Sequence, residues 1–517
     1  DREALERQQI FLAPHGMEQF HLEIQNLYAA LAQPTEKLTV SYPVSDGKGA
    51  EKRPSFVIGR IARLLPSISV ETESTDKEYR LSAKSTALEY AGEHIGGALW
   101  QYFEGQGDAE RALAAMKDAS RYTRGHLSRD AVHALYGGAV TLSASRMDMA
   151  RSCHFAYFMR YGLKARERTG AGFDAPQIGT FVHDVMEHTL RQAKECGGLH
   201  TLSKDKLHAL VRASIEEYID RVLPDLSEKS ARFRYLFNRL CATVERIMDE
   251  VSEELQSSDF EPLAFELEFG ADGQLPAITI REENGTARVV GKVDRVDGWL
   301  HDGKLYLRVV DYKTGKKSFD LAELRYGLGL QMLLYLFTLK EEGQMLFGGH
   351  EIVPAGVLYT PAREPMLRCA RDTEPETIEK ALKKELRRSG MVLEDPVVLQ
   401  AMEHSALESP CYLPIAVKRD GAVTGSLASA EQLGKLSKYV DHILHEITQE
   451  VFAGNIDADP YARTPQQSAC TYCEFASACH FENGCGSDRM EYIKATKNDE
   501  FWQYIDEVNG EGAHENG

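Results

Sequence analysis

Residues 289–313 read VVGKVDRVDGWLHDGKLYLRVVDYK, which is two β-prone runs on either side of Asp302-Gly303. An Asp-Gly pair between two such runs is the strongest short-range signal for a β-hairpin with a two-residue turn. With that turn as the loop, Val296 faces Val309 and Asp294 faces Asp311, because side chains alternate along each strand. The sequence therefore predicts an antiparallel hairpin with an apolar middle and two opposed carboxylates near its open end.

Two carboxylates on facing positions need a charge partner. Directly opposed side chains lie roughly 4.5–5.5 Å apart at Cβ, and like charges at that separation repel. A divalent cation between Asp294 and Asp311 removes the repulsion, and Lys313 points the same way because it is two residues past Asp311. Two metal-binding acids beside an ammonium group suit phosphodiester hydrolysis, in which a metal activates water and steadies developing charge.

Two alternatives stay open for this hairpin. The same register sets Lys292 opposite Lys313, so either both lysines flank the cation or a β-bulge shifts the register near the site. The other alternative is a solvated hairpin whose charged residues have no catalytic role. The two acids lie on the more apolar face, which favours the metal site.

The two strands also carry a longer motif. Residues 291–297 (GKVDRVD) and 309–315 (VVDYKTG) resemble the G-h-h-D-R-h-D … h-h-D-Y-K-T-G signature of RecB-type nucleases, where h is an apolar residue. The resemblance implies an α/β fold of the PD-(D/E)XK, restriction-endonuclease-like class, with a mixed sheet flanked by helices. It also implies a Mg²⁺-dependent deoxyribonuclease whose catalytic residues include Asp294, Asp311 and Lys313.

An upstream helix agrees with this resemblance. Residues 179–183 (GTFVH) resemble the family's G-x-x-x-H, which implies that His183 joins Asp294 and Asp311 as a metal ligand. A single histidine on a helix is more often a packed or surface residue, and the order of the motifs is what favours a ligand.

Two further sets of residues are candidates for the site. Gln331 and Tyr335 resemble the family's Q-x-x-x-Y and join the expected catalytic set. Four residues apart, they share a helix face and could reach DNA or the catalytic lysine, although an amphipathic core helix gives the same pattern. Glu266 and Glu268 lie on a strand-like run before the hairpin, and either could be a further acidic member.

Three of the nine cysteines are close together in the sequence. They follow the spacing C-x2-C-x5-C, with Cys470, Cys473 and Cys479. Spacing alone leaves both tetrahedral zinc and an iron–sulfur cluster open, with Cys485 as a local fourth ligand or Cys153 as a remote one.

One cysteine before the nuclease core and three after it resemble the iron staple of the AddB family found in bacterial AddAB helicase–nucleases. This resemblance implies a [4Fe-4S] cluster bound by Cys153, Cys470, Cys473 and Cys479, which ties the two ends of the nuclease domain together. It also implies a heterodimer with an AddA-type helicase–nuclease subunit. That complex acts on duplex ends and single strands of DNA, and the AddB-like chain cuts the 5′-ended strand during double-strand break processing for recombination.

The N-terminal segment resembles the last motor-core segment of superfamily 1 helicases. We expect a helix over 18–31 and a strand over 37–42 there. Active members carry an arginine near the position of Gln33, so the Gln33-Pro34 found here puts ATPase activity in doubt and implies a degenerate helicase-like remnant. The first residues are charged and helix-prone without an initiator Met, and we expect them to continue a longer chain.

These patterns predict four parts. Residues 1–65 are the end of a degenerate helicase-like domain, 66–140 a helical connection, 141–490 the nuclease domain with its iron–sulfur staple, and 491–517 a tail. Further expectations are a long amphipathic helical region over 202–256, a strand near 351–359 and a helix over 428–453.

Bulk composition bounds the remaining interpretations. The chain has 517 residues and a net charge of −19, which counts against tight, non-specific DNA binding by this chain alone. An odd number of cysteines and no signal peptide favour the cytoplasm, and no apolar run of ~18 residues predicts a membrane span. Two alternatives to the leading interpretation are a stand-alone iron–sulfur exonuclease and a non-catalytic scaffold that binds DNA ends.

Overall fold

The computed structural model divides the chain into two compact units, Asp1–Lys117 and Asp118–Gly517. The residues that it describes are 2–8, 13–44, 51–68, 80–121, 123–166, 175–270, 273–315, 317–370, 372–464 and 466–515. The predicted four-part division stays a prediction, and part of its second segment, 69–79, lies outside the described residues.

The described part of the first unit is helical. Its helices are α1 (Arg2–Arg7), α2 (Gly16–Ala32), α3 (Phe56–Leu64), α4 (Lys84–Glu93), α5 (Ala98–Phe103) and α6 (Asp108–Ser120). Helix α2 matches the helix predicted over 18–31 and begins with a capping box between His15 and Glu18. Helices α4, α5 and α6 form a small core around Trp100 and Leu113.

The strand predicted over 37–42 is wrong. These residues form no strand, and their apolar side chains, Leu38, Val40 and Tyr42, are exposed. A β-prone run becomes a strand only where a neighbouring strand pairs with its backbone and its side chains pack. Neither condition is met here, so the β-branched pattern alone was misleading.

The second unit mixes helices and strands. Its helices are α7 (Arg129–Tyr136), α8 (Ala144–Ser152), α9 (His154–Tyr157), α10 (Ala175–Glu195), α11 (Lys204–Val222), α12 (Ala231–Gln256), α13 (Leu321–Arg325), α14 (Gln331–Glu342), α15 (Pro375–Glu385), α16 (Pro396–Met402), α17 (Ala430–Ala453), α18 (Ala476–Cys479) and α19 (Asn498–Glu515). Its strands are β1 (Ala139–Leu142), β2 (Glu261–Phe269), β3 (Ile278–Glu282), β4 (Gly285–Val289), β5 (Gly291–His301), β6 (Lys304–Lys313), β7 (Glu351–Pro361), β8 (Ser389–Leu393), β9 (Ile415–Val417), β10 (Val423–Gly425), β11 (Leu427–Ala428), β12 (Tyr461–Thr464), β13 (Gln467–Ser468) and β14 (Glu491–Tyr492).

A six-stranded mixed sheet forms the centre of this unit. Its order is β11-β8-β7-β6-β5-β2, and β6 runs parallel to β7 whereas β5 and β2 continue the sheet antiparallel. Helix α14 packs on β6 and β7, and α10 packs on α11 and against β2. The predicted α/β class with a mixed sheet flanked by helices is confirmed.

The predicted hairpin is confirmed in its turn and register. Asp302 and Gly303 both have positive φ, +48° and +76°, which the tight two-residue turn requires. Pairing runs from His301 opposite Lys304 to Arg295 opposite Val310, the register expected from the sequence. The ladder ends there, one pair before Asp294 and Asp311.

Two long-range features follow the predictions more loosely. The helical region predicted over 202–256 is two helices, α11 and α12, separated near Leu223-Pro224, because proline cannot continue a helix interior. The strand near 351–359 and the helix over 428–453 are confirmed as β7 and α17. Among the helices that the structure describes, none is long and apolar enough to cross a membrane.

Candidate active site

Three acids occupy neighbouring strands at one level of the sheet. Phe265 pairs with Arg295 and Leu267 with Val293, so Glu266 on β2 comes level with Asp294 on β5. Asp311 follows Val310, the last residue of β6 that pairs with β5. Three carboxylates from β2, β5 and β6 therefore converge on one region.

Helix α10 brings His183 to this row of acids. His183 Nδ1 lies 3.4 Å from Asp294 Oδ2, and its Nε2 lies 2.9 Å from the carbonyl oxygen of Tyr312. The Tyr312 amide in turn donates to Asp294 Oδ2 at 2.9 Å and takes the place of the next ladder bond. Donor atoms of His183, Glu266 and Asp294 all lie within 4.8 Å of one another.

Each lysine near the site contacts acids of a different strand. Lys313 Nζ lies 2.6 Å from Asp311 Oδ2 on its own strand. Lys292 Nζ lies 2.5 Å from Glu266 Oε2 and 3.5 Å from a Glu268 oxygen, both on β2. The predicted conflict between Lys292 and Lys313 is therefore absent, because Lys292 pairs with Glu268 across β2–β5 rather than with β6.

The carboxylates of the site resist ionisation. Burial and the nearby charge of Asp294 raise the pKa of Asp311 to about 6, against the lowering effect of Lys313. Burial also raises the pKa of Glu266, and Asp294 adds to the effect while Lys292 opposes it. Although burial lowers it, the pKa of His183 rises to about 9 because Asp294 and the Tyr312 carbonyl stabilise the imidazolium.

These observations fit a divalent cation. Asp311 Oδ2 is buried and accepts no hydrogen bond, although Lys313 lies beside it. Three crowded carboxylates, an imidazole and a backbone carbonyl form a donor set rich in oxygen, which suits Mg²⁺. A bound cation would relieve the repulsion that raises the pKa of Asp311 and Glu266.

A model of the family described as the PD-(D/E)XK nuclease superfamily matches residues 141–480. The chain belongs to the PD-(D/E)XK nuclease superfamily. The match begins just before α8 and ends just after the cysteine group, so it includes the whole six-stranded sheet and His183.

Similarity to named relatives extends beyond the PD-(D/E)XK domain. A Ruminiclostridium cellulolyticum protein, named as the B-type subunit of an ATP-dependent helicase/deoxyribonuclease, is 29% identical over 98% of this chain and 46% of its own length. Proteins of the same name from Clostridium botulinum (strain Loch Maree / Type A3) and Acetivibrio thermocellus are 30% and 31% identical, each over 93% of this chain and 44% of their own length. The chain thus spans less than half the length of these relatives. The predicted relationship to the AddB family is confirmed.

A buried ionic network lies behind the PD-(D/E)XK motif. Arg295 Nη1 donates to the Tyr312 hydroxyl at 2.7 Å, and both Arg295 and Arg308 donate to Asp297 at 2.9 Å. Glu254, at the end of α12, pairs with Arg308 at 3.3 Å and Arg388 at 2.7 Å. This network holds Tyr312, whose backbone contacts both His183 and Asp294.

The Q-x-x-x-Y pair supports the strand rather than the cation. Gln331 Nε2 donates to the Tyr335 hydroxyl at 3.2 Å, which confirms their shared helix face. Tyr335 is buried and lies edge-on to Phe269, with ring centroids 5.2 Å apart. It packs where Gly291 has no side chain, so this pair positions the start of β5.

The C-terminal cysteines form a group of their own. Burial and the neighbouring thiols of Cys473 and Cys479 raise the pKa of Cys470. Burial raises the pKa of the fourth predicted ligand, Cys153, to about 12. Among the described residues, donor atoms meet the 4.8 Å spacing of a single-ion site only at His183, Glu266 and Asp294, so the thiols lie further apart than that.

The segments that carry these cysteines contact one another. His154, next to Cys153, donates its backbone N–H to Asp459 at 2.9 Å. Arg160 donates to Glu474, next to Cys473, at 3.0 Å. The two ends of the PD-(D/E)XK match therefore meet beside the cysteines.

Two site features were not predicted from the sequence. The Tyr312 carbonyl is a backbone group, and no side-chain motif reports it. Glu266 was considered only together with Glu268; the pairing of β2 with β5 and the positive φ of Glu266, +49°, separate the two. The acidic residue inside a strand-like run was the only available signal.

Proposed function

We propose that this chain is the nuclease-bearing part of an AddB-type protein, one of the two components of an AddAB-class ATP-dependent helicase–nuclease. In this proposal it hydrolyses phosphodiester bonds of DNA with Mg²⁺ as the cofactor. The observation that supports it most directly is the convergence of His183, Glu266 and Asp294 within 4.8 Å beside Asp311 and Lys313. Retention of both aspartates and the lysine favours an active nuclease over a non-catalytic scaffold.

The proposed roles follow from the contacts. His183, Asp294 and Asp311 hold the cation, with Glu266 and the Tyr312 carbonyl as further oxygen donors. When bound, the cation activates water and stabilises charge on the phosphate. The Lys313 ammonium lies where it can orient the attacking water and balance negative charge beside Asp311.

We further propose that Cys153, Cys470, Cys473 and Cys479 bind a [4Fe-4S] cluster with a structural role. The thiols are too widely spaced for a single-ion site, and the segments on either side of them already contact each other. The cluster would join residues roughly 300 positions apart, which restricts the unfolded chain far more than the folded one.

The setting of this activity is proposed from the names of the relatives. The partner is an AddA-type helicase–nuclease in the cytoplasm, which feeds DNA strands from a duplex end. The chain described here cuts the 5′-ended strand while the break is processed for recombination. The net charge of −19 agrees with a partner that supplies much of the DNA affinity.

The proposal is tested with end-labelled duplex and single-stranded DNA in Mg²⁺ and then in EDTA. We expect cleavage by the parent chain in Mg²⁺ only, and its loss in Asp311→Asn, because the substitution removes a charge that the cation requires. Binding of DNA by Asp311→Asn in EDTA should match the parent. Cleavage by Asp311→Asn at the parental rate would contradict the assignment.

A further inference from the structure

A cleft of about 190 Å³ opens beside the catalytic lysine. Its walls come from the ends of β6 and β7, the last turn of α15 and the start of β8. Of the described residues that line it, five are cationic and one is acidic: Lys313, Lys317, Arg363, Lys384, Arg387 and Glu385. The lining therefore carries an excess of four positive charges in a chain whose net charge is −19.

The cations of this cleft are only partly neutralised by the protein. Arg363 lies 3.5 Å from Glu385, and Lys317 lies 3.7 Å from Glu323, which are long separations for ion pairs. Lys384 is exposed and forms no ion pair with any residue that the structure describes. Exposed pairs of this length add little stability, so the cations remain available to an anion.

The backbone of the cleft is held in place. Asp311 pairs with Tyr359 on β7, and Tyr359 pairs with Ser389 on β8, so the cleft continues the row of acids across the sheet. The Phe319 amide donates to Ser389 Oγ at 2.7 Å, which anchors the loop that carries Lys317. The cleft is therefore a fixed continuation of the catalytic row and not a surface cluster of mobile lysines.

The opposite side of the catalytic row has the reverse charge. Glu187, Glu266 and Glu268 surround Lys292 on the β2 side. A polyanion approaching the site is repelled there and attracted from the β7–β8 side, because local fields rather than net charge steer it. The two sides together define one direction in which a DNA strand leaves the catalytic residues.

We infer that this cleft binds a backbone phosphate of the DNA strand next to the phosphate that is cut. Lys317, Lys384 and Arg387 are the contacts, with Arg363 at the far wall. The identity of the ligand rests on the proposed nuclease function. The cleft contacts no base in this arrangement, so it contributes affinity and direction without sequence preference.

The test compares two double variants that each remove two positive charges. Lys317→Gln/Lys384→Gln changes the cleft, whereas the control Lys340→Gln/Lys383→Gln removes two exposed lysines that do not line it. Binding of a fluorescent single-stranded oligonucleotide is measured in EDTA from about 50 to 200 mM salt, where each lost phosphate contact should reduce the slope of log K against log[salt] by about 0.7. Two contacts predict a slope reduced by about 1.4 and affinity reduced about 10- to 30-fold at ~0.1 M salt.

A second measurement locates the phosphate. Oligonucleotides with one neutral methylphosphonate at successive positions are cleaved by the parent and by both double variants in Mg²⁺. The parent and the control should show a raised KM when the neutral position is next to the scissile phosphate. The cleft variant should be insensitive at that position, since its contact is already lost.

The outcomes separate the cleft from the nuclease proposal. If the cleft variant and the control share the parental salt slope, the cleft is not a phosphate site. A cleft-dependent slope in a chain that does not cut DNA would keep the cleft and overturn the nuclease function. Failure of the parent to bind the oligonucleotide would overturn the cleft outright.

Discussion

Every acid of the candidate site has one basic partner in the absence of a cation. Glu266 contacts Lys292, Asp294 contacts His183, and Asp311 contacts Lys313. The site is therefore compensated pair by pair, and a divalent ion must compete with these contacts. The raised pKa of Asp311 and Glu266 indicates that the compensation is incomplete.

Glu266→Gln tests which acid of β2 belongs to the cation. We expect the variant to need about 10- to 100-fold more Mg²⁺ for half-maximal cleavage, the usual cost of weakening a metal site's supporting groups. Glu268→Gln is the matched control, because Glu268 also contacts Lys292 but lies outside the group within 4.8 Å. Metal titrations of cleavage that shift equally in both variants would remove Glu266 from the site.

At the scale of elements, a buried ionic network joins α12 to the sheet. Glu254 is fully buried between Arg308 on β6 and Arg388 just before β8. Burial opposes ionisation of Glu254, yet the charges of Arg388, Arg308 and Arg295 outweigh it and lower its pKa to about 2. The helix is therefore held to the strands that carry Asp294 and Asp311 by charge as well as by packing.

This network predicts a specific acid dependence. Because the pKa of Glu254 is lower in the folded state than its ordinary 4.5, its contribution to the free energy of unfolding is full above pH 4.5. It is lost as the pH falls toward 2, and amounts to about 3 kcal/mol. Urea unfolding across this range should show the loss in the parent and in Glu253→Gln, whose altered side chain is the exposed neighbour.

Glu254→Gln supplies the contrast at neutral pH. It leaves two buried arginines without their acid and should lower the free energy of unfolding by about 3–5 kcal/mol. Equal stability of Glu254→Gln and Glu253→Gln at neutral pH would mean that the network does not hold α12.

The contact between β5 and α14 depends on one glycine. A Cβ at Gly291 would lie 2.5 Å from ring atoms of both Phe269 and Tyr335. Gly291→Ala should therefore lower the free energy of unfolding by about 1–3 kcal/mol, the usual cost of overpacking. Gly434→Ala, inside α17 with nothing within 4 Å, should instead raise it by about 0.5–1 kcal/mol. Denaturant unfolding of both variants decides, and a tolerated Gly291→Ala would show that Tyr335 is free to move.

At the scale of the unit Asp118–Gly517, residues distant in sequence close the nuclease domain. Arg124 forms a buried pair with Asp488 at 2.8 Å and donates to the Cys479 carbonyl at the same distance. The Phe155 amide donates to the Asp457 carbonyl at 2.9 Å. These contacts place the start and the end of the domain side by side, where the proposed cluster would reinforce them.

Removal of a proposed cluster ligand should loosen this closure. Cys153→Ser and Cys470→Ser are each expected to lose bound iron and visible absorbance and to unfold at a lower temperature, because a link across roughly 300 residues is lost. Cys196→Ser and Cys369→Ser alter exposed cysteines outside the group and serve as controls. Iron analysis and thermal unfolding are the measurements; zinc in place of iron, or equal behaviour of all four variants, would contradict the cluster.

Local chemistry made much of this molecule predictable. The Asp302-Gly303 turn sets the register of the hairpin within a few residues, so the approach of Asp294 and Asp311 follows from alternation alone. His183 and the Gln331–Tyr335 pair were found because their motifs keep fixed helical spacing, and the cysteines because their spacing is short. The strand over 37–42 shows the limit, since β propensity specifies no partner.

Contacts between distant segments were decided only by the folded chain. Glu266 enters the site because β2 pairs with β5 in one register, and a shift of one residue would turn it to the other face. The basic cleft joins residues from β6, β7, α15 and β8, whose lysines look like ordinary surface charge in sequence. Side-chain alternation acts over neighbouring residues, whereas strand order and register depend on burying the whole sheet at once, and no local pattern contains that information.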